Sequence, residues 1–187
     1  WTSSIDKNGN NRGKIFANNS EGYVWEKLIE ENIVMSGSAA MVRRDCFEKL
    51  GVFDQNLRFA EDWEMWIRIA RNYSFAVIKE VLVYYRHHAN NKSRNYIKTI
   101  DNFRLIIEKT FESVPFELLY LRNRSYSRVN LIFAWKCIQN QEPDCNKAEY
   151  FRNLAIKHNP QLLFSKHNFR LIIAIFLMRW FGNNGYI

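Results

Sequence analysis

Hydrophobic and polar positions recur at two periods along this chain, and the change from one to the other organises it. Residues 1–5, Ser74–Ile78 and Val81–Tyr85 carry the β-branched and aromatic residues of strands. Asn8-Gly9-Asn10 behind the first of them predicts a hairpin or an exposed loop. Ile33–Val42 is small and apolar, the pattern of a buried strand. Between these runs the period lengthens. Tyr23–Glu31 places Val24 and Leu28 inward with Glu26 and Glu30 four apart, and Asp45–Leu50 forms a short helix stopped by Gly51. The strongest helical signal is EDWEMWIRIARNY, where Trp63, Trp66, Ile67 and Ala70 recur at i, i+3, i+4, i+7 and Glu64 and Arg68 pair on the outer side.

From about residue 93 the pattern is helical throughout: Tyr96–Thr110, Phe116–Gln139, Lys147–His158 and Phe169–Phe181, broken at Pro115, Pro143 and Pro160. The expectation is an α/β core over residues 1–92 followed by an α-helical extension over 93–187, without internal repeats.

Composition excludes several classes. With 187 residues, 47% hydrophobic and 16% aromatic, the chain is long and apolar enough to bury a core, and its 7 Gly and 3 Pro exclude a linker or low-complexity tail. Three cysteines, Cys46, Cys137 and Cys145, form neither a disulfide framework nor a C-x-x-C pair, so a reducing compartment is the default. The longest apolar run, Leu171–Met178, is too short to span a bilayer. The chain opens at Trp1 with no initiator Met or signal peptide, the look of a piece of a longer protein.

Charge is uneven. Residues 1–85 carry 11 Lys and Arg against 12 Asp and Glu, whereas residues 86–187 carry 16 against 7. Such a patch attracts phosphates, anionic lipid or nucleic acid, although a solvated helical surface is the commoner meaning. The arginines among Arg122–Arg128 splay over different helix faces with no recognition motif around them, so no nucleic-acid partner is expected. Arg43-Arg44 opposes the dipole of the helix it precedes and is expected to pair with Asp45 or Glu48.

The candidate chemistry lies at Glu61 and Asp62. Carboxylates in the first turn of a helix sit at the positive end of its dipole, which predicts an ionised, rigidly held group able to accept a proton from an attacking hydroxyl. Acidic residues there are also common caps. The ordered set around them carries more: Gly37-Ser38, Arg43-Arg44, Phe47, Gly51, Phe53-Asp54, Glu61-Asp62-Trp63-Glu64-Met65-Trp66, then Tyr85-Arg86 and His88. Over residues 33–93, about a third of the chain, this resembles the second half of the catalytic domain of family 2 glycosyltransferases.

The resemblance implies a partial GT-A, Rossmann-like core, the acceptor-side half of an inverting enzyme that moves a sugar from a nucleotide-diphosphate donor to a hydroxyl acceptor, saccharide or lipid-linked. It implies Asp62 as general base with Glu61 in support, and a divalent cation, Mg or Mn, in the full-length enzyme. That family's Asp-x-Asp metal motif is absent here, and Asp62-Trp63-Glu64 cannot replace it because helical residues i and i+2 face apart. No metal residue is therefore assigned, and the fragment alone is expected neither to bind the cation nor to turn over. Gly37 and Ser38 would let a sugar approach the backbone. Trp63 is open between sugar stacking and core, and Trp66 reads as core. Arg86 and His88 match a segment that approaches the diphosphate, with His87 competing to face inward. A cytoplasmic enzyme of cell-envelope or polysaccharide biosynthesis, peripheral at the inner face of the membrane or not, fits this reading. The alternative is a non-catalytic partner-docking or membrane-surface module with a degenerate transferase remnant. Residues 168–181, apolar on all sides between Arg170 and Arg179, are read as a packing or homo-oligomer contact ahead of a lipid contact.

Overall fold

The computed structural model of the chain describes residues 1–34, 36–88, 91, 99–140 and 142–182. It is a mixed α/β structure that divides into two compact units, Trp1–Val114 and Pro115–Ile187.

The first unit is built on a three-stranded sheet of order β2-β1-β3, with β1 at Thr2–Ile5, β2 at Asn11–Phe16 and β3 at Val83–Arg86. β1 pairs antiparallel with β2 (Thr2 opposite Phe16) and parallel with β3 (Thr2 opposite Val83, Ile5 opposite Arg86). The hairpin predicted at Asn8-Gly9-Asn10 forms because the Asp6 carboxylate accepts the backbone N–H groups of Asn8 and Asn10 at 2.8 and 2.9 Å while Gly9 takes φ 94°.

Between β2 and β3 run α1 (Trp25–Glu30), α2 (Arg44–Leu50) and α3 (Glu61–Ala70), and after β3 comes α4 (Ile100–Phe111). α3 is the hub of this unit: α1, α2 and α4 all pack on it. Its Trp63, Met65, Trp66, Ile67, Ile69 and Ala70 are buried with Leu28 and Ile29 of α1 and Ile106 and Ile107 of α4. Gly51 ends α2 at φ 81°, as its position after Leu50 predicts. The predicted start of α4 at Tyr96 lies outside the described residues.

Three local expectations are corrected. The described residues of Ile33–Val42 form no strand; a 3₁₀ turn occupies Gly37–Ala39, nucleated by the Ser36 hydroxyl accepting from the Ser38 N–H at 3.1 Å. A short polar side chain satisfying nearby backbone outcompetes a strand that has no neighbour to pair with. Ser74–Ile78 keeps the alternating burial of an extended segment but makes only one bridge, Gly22 to Phe75. Glu64 does not sit on a solvent face: it is 4% exposed. It binds Arg68 through two contacts at 2.8 and 2.9 Å, and Lys109 of α4 lies 3.5 Å away, bridging to Asp54 at 2.9 Å. Arg68 also donates to the Leu50 and Val52 carbonyls, so the outer side of α3 is roofed by the segment after α2 and by α4.

The second unit contains α5 (Tyr120–Ile138), α6 (Cys145–His158) and α7 (Lys166–Phe181), with α7 packed on both others. Asp144 caps α6 by accepting the Lys147 N–H, and Ser165 caps α7 by accepting that of Asn168. The compact units part at Val114 and Pro115, and α4, whose composition resembles the helices that follow, buries Ile106 and Ile107 in the first unit.

Candidate functional site

Glu61 and Asp62 open α3, and the chain arrives at them through a strained residue. Ala60 adopts the left-handed conformation, φ 57° and ψ 22°, which a residue with a Cβ enters at a cost. The segment before it is held from α4: the amide oxygen of Asn102 accepts the N–H of Arg58 at 3.0 Å and of Phe59 at 2.9 Å. Behind the site, the Trp63 indole N–H donates to the Leu28 carbonyl at 2.7 Å, and its ring meets Phe103 with centroids 5.6 Å apart. The start of α3 is thus fixed from α1 and from α4.

Asp62 itself is half-buried. Its Oδ1 accepts the Trp63 N–H at 2.7 Å, and the Gly37 N–H also reaches the carboxylate. Gly37 adjoins it: a Cβ built there would meet Asp62 in ordinary van der Waals contact, 3.7 Å from its Cβ and 3.8 Å from Oδ2. Among the described residues, no Lys, Arg or His forms an ion pair with Asp62 or Glu61. Burial raises its pKa above the ordinary aspartate value, the Trp63 and Gly37 N–H groups oppose this, and the charge of Glu61 adds to it. An uncompensated, partly dehydrated carboxylate is a better proton acceptor than an exposed one.

Of the residues singled out in the sequence, Gly37 and Asp62 come together, with Ser38 exposed on the same turn. Trp63 does not present a ring for stacking; it is 1% exposed and its indole is engaged by Leu28. Arg86 donates to the carbonyls of Asp6 and Lys7 at 3.4 and 3.1 Å, so in this structure its guanidinium closes the β1–β2 turn. The backbone N–H of His88 donates to Asn91 Oδ1 at 3.0 Å and its side chain is exposed, whereas His87 is the more buried of the pair and stacks edge-on to Tyr85. Arg43 and Arg44 do not take Asp45, which pairs with Lys49 at 3.7 Å.

A cavity of about 830 Å³ is lined by Ala39, two residues along from Gly37, and by Val42, Trp66, Tyr73, Phe75 and Val83 among others. Asp62 is not one of its lining residues; it adjoins Gly37 on the turn whose Ala39 is. Trp66 had read as core alone. It is 2% exposed, yet it lines this space and its indole N–H is buried without an acceptor. Nothing in the periodicity distinguishes it from Trp63; only the missing acceptor does. Among the described residues, no three His, Cys, Asp or Glu side chains converge as a metal site would need, and no chemistry is assigned here to a cation.

A family model described as glycosyltransferase like family 2 matches residues 14–134, from β2 to within α5, well beyond the motif-bearing segment 33–93 on both sides. No curated protein and no solved structure shows a significant match to the chain.

Proposed function

Because the chain belongs to the glycosyltransferase-like family 2, we propose that it carries the acceptor side of a GT-A transferase, in which Asp62 deprotonates a hydroxyl acceptor attacking the anomeric carbon of a nucleotide-diphosphate sugar. The proton passes from the acceptor hydroxyl to a carboxylate oxygen of Asp62, the new glycosidic bond forms on the face opposite the departing diphosphate, and the sugar inverts. The observation that supports this most is the state of Asp62: half-buried, raised in pKa, unpaired with any described cation and anchored at a fixed helix start.

Glu61 keeps the proton affinity of Asp62 high through its charge, and the Gly37 N–H holds the carboxylate from the turn side. The cavity lined by Ala39 and Trp66 then seats the body of the acceptor. The cation that such transferases use to neutralise the leaving diphosphate would be held by residues other than those described here.

Replacing Asp62 by Asn in the full-length protein tests the assignment. Turnover of the nucleotide-sugar is expected to fall roughly 10²- to 10⁴-fold with an unchanged circular-dichroism spectrum; a variant retaining near-wild-type kcat removes Asp62 as the base.

A further inference from the structure

α7 carries two apolar faces, and only one of them is used inside its own unit. Leu171, Ala174, Ile175 and Met178 are buried, at spacings of three and four that define one side of the helix. Phe169, Ile173, Phe176 and Trp180 recur at i, i+4, i+7, i+11 on the opposite side and are 54%, 57%, 54% and 72% exposed. At 3.6 residues per turn these four fall within an arc of about 60°. Ile172 and Phe181 widen the stripe, and the Phe176 and Trp180 rings touch, their centroids 5.9 Å apart. A run that looks apolar on all sides is therefore a core-facing helix with a second, outward ridge. Contiguous exposed aromatic surface of this kind marks an interaction site.

Charge decides what covers it. α7 contains no Asp or Glu, and Lys166, Arg170 and Arg179 border the ridge. Arg179 is tied back to Glu149 at 3.1 Å and to Asn146, both on α6, while Lys166 and Arg170 are exposed. Residues 115–187 as a whole carry ten Lys and Arg against four Asp and Glu. A second copy meeting this face across a two-fold axis would bring like charges together around an apolar strip, with no carboxylate on the helix to receive them. An anionic lipid surface answers both halves, accepting the aromatic ridge at the headgroup–acyl boundary and the cations at the phosphates. Among the described residues no helix is long and apolar enough to cross a membrane, and 16 residues of helix reach only about 24 Å, so the helix lies in the plane of the surface.

We propose that the outer face of α7 is a peripheral docking surface for anionic bilayers, with Phe169, Ile173, Phe176 and Trp180 inserted and Lys166 and Arg170 on the headgroups. The inference is independent of Asp62 and its chemistry. Flotation of the whole chain with vesicles of phosphatidylcholine, with and without phosphatidylglycerol, tests it. Binding is expected to the anionic vesicles and to weaken with salt. The combined variant I173S/F176S/W180S, which alters only exposed positions, is expected to lose roughly tenfold or more of the partition coefficient while keeping its helical spectrum. Arg170→Gln is expected to lose about fivefold, on anionic vesicles only. No binding to anionic vesicles at low salt, equal binding to neutral ones, or undiminished binding of the triple variant overturns the proposal. So does a dimer in sedimentation velocity that the triple variant disperses while the wild type ignores lipid, because the face then belongs to a second copy.

Discussion

α3 and α7 both read as helices rich in aromatic and aliphatic residues with basic residues near their C-terminal ends, yet they use those residues in opposite ways. Trp63 and Trp66 of α3 are 1% and 2% exposed, and its charged side is covered in turn, with Glu64 enclosed by Arg68 and Lys109. α7 buries one side and leaves Phe176 and Trp180 more than half exposed. α3 packs against α1, α2 and α4, so the helix becomes a fixed platform, whereas among the described residues α7 buries only its inner side. A helix that must hold a carboxylate in register needs the first arrangement. A helix that meets something outside its own unit needs the second.

The contrast is broken most directly by tryptophan. Trp63→Ala is expected to cost about 3–5 kcal/mol, because it opens a cavity and leaves the Leu28 carbonyl without its donor. Trp180→Ala is expected to stay within about 0.5 kcal/mol. Urea denaturation of both variants measures the difference, and equal losses would mean that α7 is packed more fully than its exposure indicates. The buried charge comes next. Glu64→Ala is expected to destabilise by about 2 kcal/mol, less than a fully buried pair would lose, because Arg68 and Lys109 keep access to water when the carboxylate is gone. In the same denaturation series, a loss under about 0.5 kcal/mol would place Glu64 among ordinary surface carboxylates.

Much of this organisation is legible in the chain itself, for reasons that differ from place to place. α3, the β1–β2 hairpin and the end of α2 follow from local rules: a 3.6-residue period, turn residues around a glycine, a glycine after the last turn. The family resemblance singles out Gly37 and Asp62 without placing one against the other; the fold brings them together. What the pattern hides is decided by partners far away in sequence. Ile33–Val42 and Ser74–Ile78 have strand-forming residues but no adjacent strand, so their pattern yields a 3₁₀ turn and a lone bridge. Glu64 looks like half of a surface i,i+4 pair until Lys109, 45 positions on, closes over it. Trp63 and Trp66 are indistinguishable by period, and they part only because Leu28 offers a carbonyl to one indole and nothing offers one to the other.

That last difference can be sharpened by substitution. Trp66→Phe removes an unpaired buried donor, so stability should hold or rise slightly. If the cavity seats the acceptor, the smaller ring changes its wall and the acceptor KM should rise about 2- to 10-fold at unchanged kcat, the weight of one or two lost methylene-sized contacts. A fall in kcat with unchanged KM would instead place the indole in the positioning of the catalytic turn.

The smallest expected effect concerns the state of Asp62 and distinguishes a working base from a helix cap. Its folded pKa is raised by burial first and by Glu61 second, so the base form is lost as pH falls through a value above the usual aspartate range, and the acid limb of kcat/KM should lie there. Glu61→Gln removes one of the two causes and should move that limb to lower pH with little change at the plateau. The stability effect has a definite sign too. A carboxyl whose folded pKa exceeds its unfolded one favours the folded state when protonated; that contribution is complete below the unfolded pKa and disappears as pH rises through the folded one. At neutral pH the ionised Asp62 therefore burdens the fold, and Asp62→Asn should raise Tm at pH 7 relative to wild type while the gap closes toward acid pH. A cap would behave in the reverse way, its carboxylate stabilising α3 at neutral pH and its replacement lowering Tm there. A lowered Tm at pH 7, together with an acid limb indifferent to Glu61, would turn the start of α3 from a chemical site into a purely structural one.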